Sequence, residues 1–446
     1  MKDSIDFGNM AIPKLFRKLL LPTVLGMVFS AIFVITDGIF VGHGLGSDAL
    51  AAVNITAPLF LLNTGIGLMF GVGASVVASI HLSHGKQKSA CINVTQAIIV
   101  STLFLALIWL FVILNTEKVA LWLGSSARLL PLVKEYMHWF LPFLVFSALL
   151  SSGMFFIRLD GSPQYAMMCN VIPALLNIVL DYWFIFPLQW GMLGAALATS
   201  LGYIVGAAMI LWYLLFKGQT IKLYRIKTHL KSLRMTCRNV GYMCRLGFPS
   251  FLCEAAIAMM MFTGNYVFMR DAGEDGVAAY SIACYFFPII FMVYNAIAQS
   301  VQPILSYNYG AGEQRRVYEA CKIALQTAIG FGVLCFFLTS ACIHGIVSLF
   351  VSPAYKAYEL AVEGLPLFAS GFIFMAVNMV AIGYFQSIER DATAMTVTIM
   401  RGFIFLLLGF WIMPQIAGMA GNWLAVPLAE FLTFLLIIGI YWSNRK

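Results

Sequence analysis

The sequence has 446 residues, of which 61% are hydrophobic and only 10% are charged. Soluble domains carry roughly 25% charged residues, so this composition excludes a soluble enzyme or a soluble binding domain. The formal net charge of +8 is typical of the basic cytoplasmic connections of membrane proteins. We therefore expect a protein embedded in the lipid bilayer, with no nucleic acid among its partners.

Apolar segments suited to crossing the bilayer follow one another along the whole chain. A span needs about 20 apolar residues in a helix, because lipid offers no partner to a free backbone N–H or C=O. The predicted helices are 19–41, 52–81, 91–114, 133–157, 164–186, 191–216, 246–269, 277–306, 320–348, 360–387, 393–413 and 419–442. The predicted fold class is thus an all-α integral membrane protein with twelve transmembrane helices. No small-residue cleavage site follows the first helix, so we expect it to be retained.

Basic residues in the connections predict the orientation of the helices. The sixth connection, 217–245, contains several lysines and arginines and no acid. The segment before the first helix (14–18) and the last two residues, Arg445 and Lys446, are also basic. Lysine and arginine accumulate in cytoplasmic connections. Both termini and the linker are therefore expected in the cytoplasm, as in a multi-pass protein of the plasma (bacterial inner) membrane.

The two halves of the sequence repeat each other at a spacing of 227 residues. Glycine and proline mark backbone geometry rather than mere hydrophobicity, so their agreement in register indicates a duplication. The matched positions include Pro22 and Pro249, Gly46 and Gly273, Gly85 and Gly312, Pro187 and Pro414, and Gly191 and Gly418.

The repeat predicts two lobes of six helices each, 1–216 and 246–446, joined by the basic linker 217–245. Because six spans are an even number, both halves enter the membrane with the same orientation. Such lobes are related by a pseudo-two-fold axis along the membrane normal. In transporters built this way the substrate site lies between the halves, and one half rocks against the other.

Asp37, Asn177, Asp181 and Thr199 form the strongest candidate site. A carboxylate at membrane depth costs at least a few kcal/mol and marks a functional candidate. Asn177 and Asp181 are four residues apart, which puts both side chains on one helix face. If helices 1, 5 and 6 converge, the oxygens of these four residues can bind Na⁺ or hold a shared proton. The alternative is a hydrogen-bonded contact between helices with a structural role.

The polar residues of the second half form a weaker pattern. Glu254 is either a second coupling or substrate-binding acid or a partner in an interhelical hydrogen bond. Glu430 is expected to cap or pair locally, and Arg401 to extend towards the cytoplasmic interface. Met260 lies in a methionine-rich stretch, which suits core packing or an adaptable drug cavity.

At the 227-residue spacing the candidate residues of the first half face apolar residues or glycine, and a polar cluster is therefore predicted in the first half only. The residues opposite Asp37, Asn177, Asp181 and Thr199 are Gly264, Ile404, Leu408 and Val426.

No metal site, cofactor or enzymatic activity is expected. The nine cysteines include no Cys-x-x-Cys motif, and the six histidines include no His-x-x-x-His pair. Metal sites need such clusters. A membrane enzyme would need a nucleophile with its base, or a metal, at membrane depth, and the sequence offers neither.

Three segments resemble the multidrug and toxic compound extrusion (MATE) transporters. They are Pro22–Gly42, with Thr36-Asp37-Gly-Ile-Phe-Val-Gly42, the helix 4–5 connection Arg158–Ala166, and Gln299–Gly312, which covers helix 8 and its loop. The resemblance implies export of drugs or toxic organic cations, cationic or amphipathic, by alternating access of a monomer. Inward movement of Na⁺ or H⁺ would drive it. A flippase for lipid-linked saccharides or related lipids, from the same superfamily, is the alternative.

The resemblance also implies roles for individual residues. The DinF-like branch uses an Asp in helix 1, an Asn and an Asp four apart in helix 5, and a Thr in helix 6. The matching residues here are Asp37, Asn177, Asp181 and Thr199. The NorM-like branch uses acids in helices 1, 7 and 10, but helix 10 offers Asn378 and no interior Asp. Candidates for substrate binding or a second coupling site are Glu254, Asn378, Gln302 and Met260.

Overall fold

The computed structural model describes residues 5–226 and 229–443, and all secondary structure in these ranges is helical. The α-helices are α1 (Ile12–Leu45), α2 (Ser47–Ser83), α3 (Gln87–Leu114), α4 (Thr116–Trp122), α5 (Leu130–Phe140), α6 (Leu144–Leu159), α7 (Pro163–Ile185), α8 (Gly191–Trp212), α9 (Leu230–Gly310), α10 (Gln314–Ala341), α11 (Ile343–Ser348), α12 (Lys356–Ala369), α13 (Gly371–Ser387), α14 (Asp391–Ile399) and α15 (Phe405–Ser443). Other helical turns are the 3₁₀ turn Leu141–Phe143 and the π-helical turns Tyr213–Lys217 and Met400–Ile404. Lys227 of the predicted linker, Arg445 and Lys446 lie outside the described ranges.

The predicted all-α membrane fold is confirmed. Within the described ranges nine helices are long and apolar enough to cross a bilayer, and α12 and α13, bent by 41°, together make one more. Two of the nine, α9 and the segment Asp391–Ser443 that ends with α15, contain a non-helical residue, Gly273 and Gly418, where the sequence predicts a connection. Each therefore covers a predicted pair of helices, and the count of twelve remains a prediction.

Two predicted helix boundaries differ from the structure for identifiable reasons. The helix predicted from residue 246 begins at Leu230, because charged residues lower the hydropathy of this segment but are good helix formers. The helix predicted over 133–157 is interrupted by the 3₁₀ turn Leu141–Phe143. Pro142 lies in that turn, and proline removes a backbone hydrogen-bond donor. Hydropathy thus located the membrane segments but not the ends of the helices.

Glycines with a positive φ repeat at the same spacing as the sequence. Residues with a Cβ rarely adopt this conformation, so glycine is favoured at each position. The three pairs are Gly46 and Gly273 (φ 90° and 62°), Gly85 and Gly312 (70° and 79°), and Gly191 and Gly418 (61° and 56°). The duplication inferred from the sequence therefore extends to the backbone conformation of the two halves.

The first of two compact units comprises the residues up to Phe251 together with Ser306–Glu313. Within it α1 packs along α7, α2 along α6 and α3, and α7 along α8. The core contains large, fully buried aromatic side chains such as Trp109 and Phe156. This packing places α1, α7 and α8 next to one another.

Asp160 fastens the beginning of the predicted linker to the first unit. Its carboxylate accepts hydrogen bonds from the backbone N–H groups of Gln219, Thr220 and Ile221 at 2.9, 2.6 and 2.7 Å, and from the Tyr213 hydroxyl at 2.6 Å. Hydrogen bonds to a carboxylate are roughly twice as strong as neutral ones. The start of the linker is therefore an ordered part of this unit.

The second unit comprises Leu252–Leu305 and the chain from Gln314 onward. Here α10 packs along α13, and both α12 and α13 pack along α15. An aromatic cluster joins α9 to α15: Phe268 stacks on Tyr280 at 4.5 Å between ring centroids, and Trp423 meets Phe268 edge-on at 4.8 Å.

Helix α9 contributes to both units. Its first part, up to Phe251, and its last part, from Ser306, belong to the first unit, and the middle belongs to the second. Each boundary lies two residues after a proline, Pro249 or Pro303. Close contact with α2 holds the first part, because a Cβ at Gly73 would overlap the carbonyl group of Met243. The segment Leu230–Gly310, broken at Gly273, therefore contributes residues to both units.

Candidate functional site

Asp37, Asn177, Asp181 and Thr199 lie side by side in the first unit, on α1, α7 and α8. The Thr199 hydroxyl is 3.4 Å from Asp37 Oδ1, and Asn177 Nδ2 is 3.4 Å from Thr199 Oγ1. The Asp181 carboxyl interacts electrostatically with the Asp37 carboxyl. Asn177 and Asp181 are fully buried, Thr199 is buried and Asp37 is half-buried. We call these four residues the first-unit cluster.

Three oxygens of this cluster lack hydrogen-bond donors. Both carboxylate oxygens of Asp181 and Oδ1 of Asn177 are buried and accept no hydrogen bond from any described residue. Two ionised carboxylates cannot donate to each other, so their close approach requires a proton or a cation between them. Carboxylate, amide and hydroxyl oxygens are ligands that hard cations prefer. The geometry therefore suits Na⁺ or a shared proton.

Local sequence features bring α7 and α8 together at this point. Gly202, three residues after Thr199, has no side chain, and a Cβ there would lie 3.3 Å from the Pro173 carbonyl oxygen and 3.6 Å from Asn177 Cβ. Pro173, four residues before Asn177, lacks the backbone N–H that would continue the hydrogen bonds of α7. Close helix contact is typical where small residues face each other in membrane proteins.

Two tyrosines next to the first-unit cluster were not among the residues predicted from the sequence. Tyr136 of α5 and Tyr203 of α8 both interact electrostatically with Asp37. Tyr203 is four residues after Thr199 and therefore shares its helix face, a signal that the sequence did contain. Tyr136 carries no comparable signal, because only the packing of α5 on α2 and α8 brings it here.

The four second-half candidates lie in the second unit without forming one site. Met260 is buried and lines a cavity, and Gln302 is buried elsewhere on α9. The Asn378 amide donates to Glu430 Oε2 at 2.7 Å. Glu254 is half-buried and, among the described residues, takes part in no hydrogen bond or ion pair. No contact between described residues assigns these four a shared role.

The structure overturns two predictions about the second half. Arg401 does not extend to the interface: it is 5% exposed, and its Nη2 lies 2.6 Å from Glu430 Oε1. A buried guanidinium is more stable beside a carboxylate than alone. Together with Asn378 these residues form a second polar cluster, although none was predicted in this half. The 227-residue spacing did not predict this cluster, because Arg401 and Glu430 do not correspond to acidic residues of the first half in the sequence. We call Arg401, Glu430 and Asn378 the second-unit cluster.

An all-helical chain with many bilayer-long helices and buried carboxylates belongs to the class of integral membrane transporters, in which such groups mark ion pathways. The family model MatE matches residues 22–183 and 249–412. The chain belongs to the MatE family, whose members are transporters rather than enzymes, and the prediction of no enzymatic activity is confirmed.

Similar proteins support this assignment over nearly the full length. The multidrug export protein MepA of Staphylococcus aureus is 25% identical over 431 residues, which are 95% of this chain and 92% of the relative. MepA of Staphylococcus saprophyticus is 24% identical over 428 residues, with the same coverage.

Solved structures share the fold. An outward-facing multidrug resistance MATE family transporter of the MOP superfamily matches with a TM-score of 0.87 and 21% identity over 100% of this chain and 98% of that one. The transporter VcmN of Vibrio cholerae matches with a TM-score of 0.89 and 20% identity over 97% of both chains.

Proposed function

We propose that this protein exports drugs or other toxic organic compounds, cationic or amphipathic, in exchange for Na⁺ or H⁺ that binds at the first-unit cluster. The observation that carries the proposal is the set of buried oxygens on Asn177 and Asp181 that accept no hydrogen bond. The names of the MepA relatives support multidrug export as the activity. The protein would act as a monomer in the plasma membrane, with both termini in the cytoplasm.

The antiport mechanism follows from the charge of the first-unit cluster. Without a cation, Asp37 and Asp181 repel each other, and the conformation that separates them or admits water is favoured. A bound cation removes the repulsion and favours the conformation in which they are close. A ligand shifts a conformational equilibrium only by its differential affinity for the two states. Drug and cation must therefore prefer opposite states for one to drive the other.

The proposed transmembrane arrangement has twelve spans in two lobes of six. The ten spans counted above become twelve if α9 and α15, each broken at a glycine, cross the membrane twice. Such duplicated halves are common among transporters that work by alternating access.

A flippase of lipid-linked saccharides is the less supported alternative. A cavity lined by several unpaired basic side chains would suit a phosphorylated lipid. In the second-unit cavity beside Met260 the charged residues are Arg401 and Glu430, which neutralise each other. The arrangement favours an organic compound without phosphate groups.

The test is drug efflux from proteoliposomes with an imposed Na⁺ or H⁺ gradient. We expect Asp37→Asn and Asp181→Asn to lower gradient-driven efflux to the level of empty liposomes, because the amide removes the charge that binds the cation. Asp275→Asn, the same change at an exposed residue, is the matched control and should leave efflux intact. Undiminished efflux in both cluster variants would refute the proposal.

A further inference from the structure

In the second-unit cluster the Glu430 carboxylate has protein donors at both of its oxygens. Arg401 Nε donates to Glu430 Oε1 at 2.8 Å and to Oε2 at 3.0 Å, and the Arg401 Nη2 group lies 2.6 Å from Oε1. The Asn378 amide donates to Oε2 at 2.7 Å. Every oxygen of the Glu430 carboxylate therefore has a donor from the protein itself. No position on this carboxylate is left for a cation from solution.

An unusual backbone feature places Arg401. It lies in the π-helical turn Met400–Ile404 between α14 and α15, and π-helical turns are rare and frequent at functional sites. The next residue, Gly402, packs directly on α9, because a Cβ there would overlap Cβ of Ala256. The turn and the helix that covers it hold the guanidinium in one position.

The surroundings of the pair are apolar. The cavity next to it is lined by residues such as Ile257, Met260, Phe287 and Leu406. Arg401 and Glu430 are 5% and 4% exposed. A carboxylate in such surroundings is stable only with a counter-charge, and removal of one partner leaves the other charge buried and uncompensated.

The pair lies on the second-half counterparts of the helices that carry the first-unit cluster. At the 227-residue spacing Arg401 corresponds to Ala174, three residues before Asn177, and Glu430 corresponds to Tyr203, four residues after Thr199. Three or four residues are one helical turn. Both halves therefore place polar groups within one turn of the same positions on the same two helices of the repeat.

We propose that Arg401 is a built-in cation of the second unit, which fills the place at Glu430 that Na⁺ or a proton would otherwise take. Arg401 thus neutralises the charge of the buried Glu430 carboxylate. Resting on the proposed function, which assigns cation exchange to the first-unit cluster, this inference excludes Glu430 from that exchange. Its consequence is specific: removal of the guanidinium converts Glu430 into a new cation-binding site.

The test uses the purified full-length protein in detergent and measures its unfolding temperature. The parent carries Asp37→Asn and Asp181→Asn, so that the carboxylates of the first-unit cluster do not contribute. Arg401→Met is then added, because methionine fills much of the same space without charge. NaCl replaces choline chloride at constant ionic strength in one series, and pH is lowered in another.

We expect the unfolding temperature of the Arg401→Met protein to rise by a few degrees with Na⁺ or with protons, because ligands that bind only the folded state stabilise it. The parent should show a smaller response or none. Adding Glu430→Gln to the Arg401→Met protein should abolish the gain, and Arg401→Lys should behave like the parent. An Arg401→Met protein that responds like the parent, or a gain that survives Glu430→Gln, would overturn the proposal.

A second measurement applies if the Arg401→Met protein does not fold. Replacing both members of a buried ion pair by neutral residues is often tolerated when replacing one is not. In the wild-type background, the protein with Arg401→Met and Glu430→Gln should fold and keep its dependence on the driving cation. Loss of folding or of that dependence would refute the inference. Neither readout requires the first-unit cluster to be the coupling site, which the efflux test of Asp37→Asn and Asp181→Asn decides independently.

Discussion

Each unit has a buried carboxylate on one of the last two helices of its repeat, Asp181 on α7 and Glu430 on α15, and the two carboxylates differ in their partners. In the first unit, both oxygens of Asp181 accept no hydrogen bond, and no basic side chain forms an ion pair with it among the described residues. In the second, Glu430 is held by Arg401 and Asn378. A carboxylate without donors is a site for a mobile cation, whereas one with an arginine is already neutral. Duplication of a scaffold has thus not duplicated its chemistry.

The largest expected effect on drug efflux comes from introducing into the first unit an arginine beside a buried carboxylate, as in the second unit. Asn177→Arg would place a guanidinium one helical turn from Asp181, as Arg401 is placed beside Glu430. We expect gradient-driven drug efflux to be abolished, because a tethered cation cannot be exchanged. Asn177→Gln, which keeps an amide, should retain a substantial part of the activity. The unfolding temperature of the Asn177→Arg protein should also rise less with Na⁺ than that of the wild type, and an undiminished rise would contradict the contrast between the two units.

A smaller effect is expected from removing one oxygen of the first-unit cluster. Thr199→Ala deletes the hydroxyl 3.4 Å from Asp37 Oδ1. Because a typical hydrogen bond contributes about 1 kcal/mol net, the apparent affinity for the driving cation should fall about fivefold. Cation titration of transport by reconstituted protein measures this change. Thr199→Ser keeps the hydroxyl and is the control; equal loss in both variants would show that the methyl group, not the oxygen, matters.

The smallest effect on the unfolding temperature is expected from breaking an exposed ion pair, which serves as a reference for the buried pair. Lys134 lies 2.8 Å from Glu117, and both are largely exposed. This hydrogen bond lowers the pKa of Glu117 below its usual value of 4.5, so any stabilisation is present at neutral pH and disappears as the pH falls through the lowered pKa. Lys134→Ala should return the pKa to its usual value and leave the unfolding temperature at neutral pH unchanged, because water screens exposed pairs. A clear decrease would remove the contrast between exposed and buried pairs, because loss of one partner is expected to be strongly destabilising only in a buried pair.

The sequence revealed those features that depend on local pattern. The length of the apolar segments predicted the all-helical membrane fold. The four-residue spacing of Asn177 and Asp181 predicted that their side chains share a helix face. The agreement of glycine positions between the two halves predicted the repeat, and the positive φ of both Gly46 and Gly273 agrees with that prediction.

Features that depend on packing between distant segments were not predictable in the same way. The pairing of Arg401 with Glu430 requires α15 to lie beside the π-helical turn, and hydropathy contains no information on which helices become neighbours. Tyr136 reaches Asp37 only through tertiary contacts. The start of α9 at Leu230 was missed because a basic segment can be helical outside the apolar layer.

The division of α9 between the two units has a mechanical consequence. The helix passes from the first unit to the second just after Pro249 and returns just after Pro303. Proline leaves a gap in the ladder of backbone hydrogen bonds, and helices bend most easily at such gaps. The segment α9 therefore has two positions, besides its break at Gly273, at which the helix bends most easily.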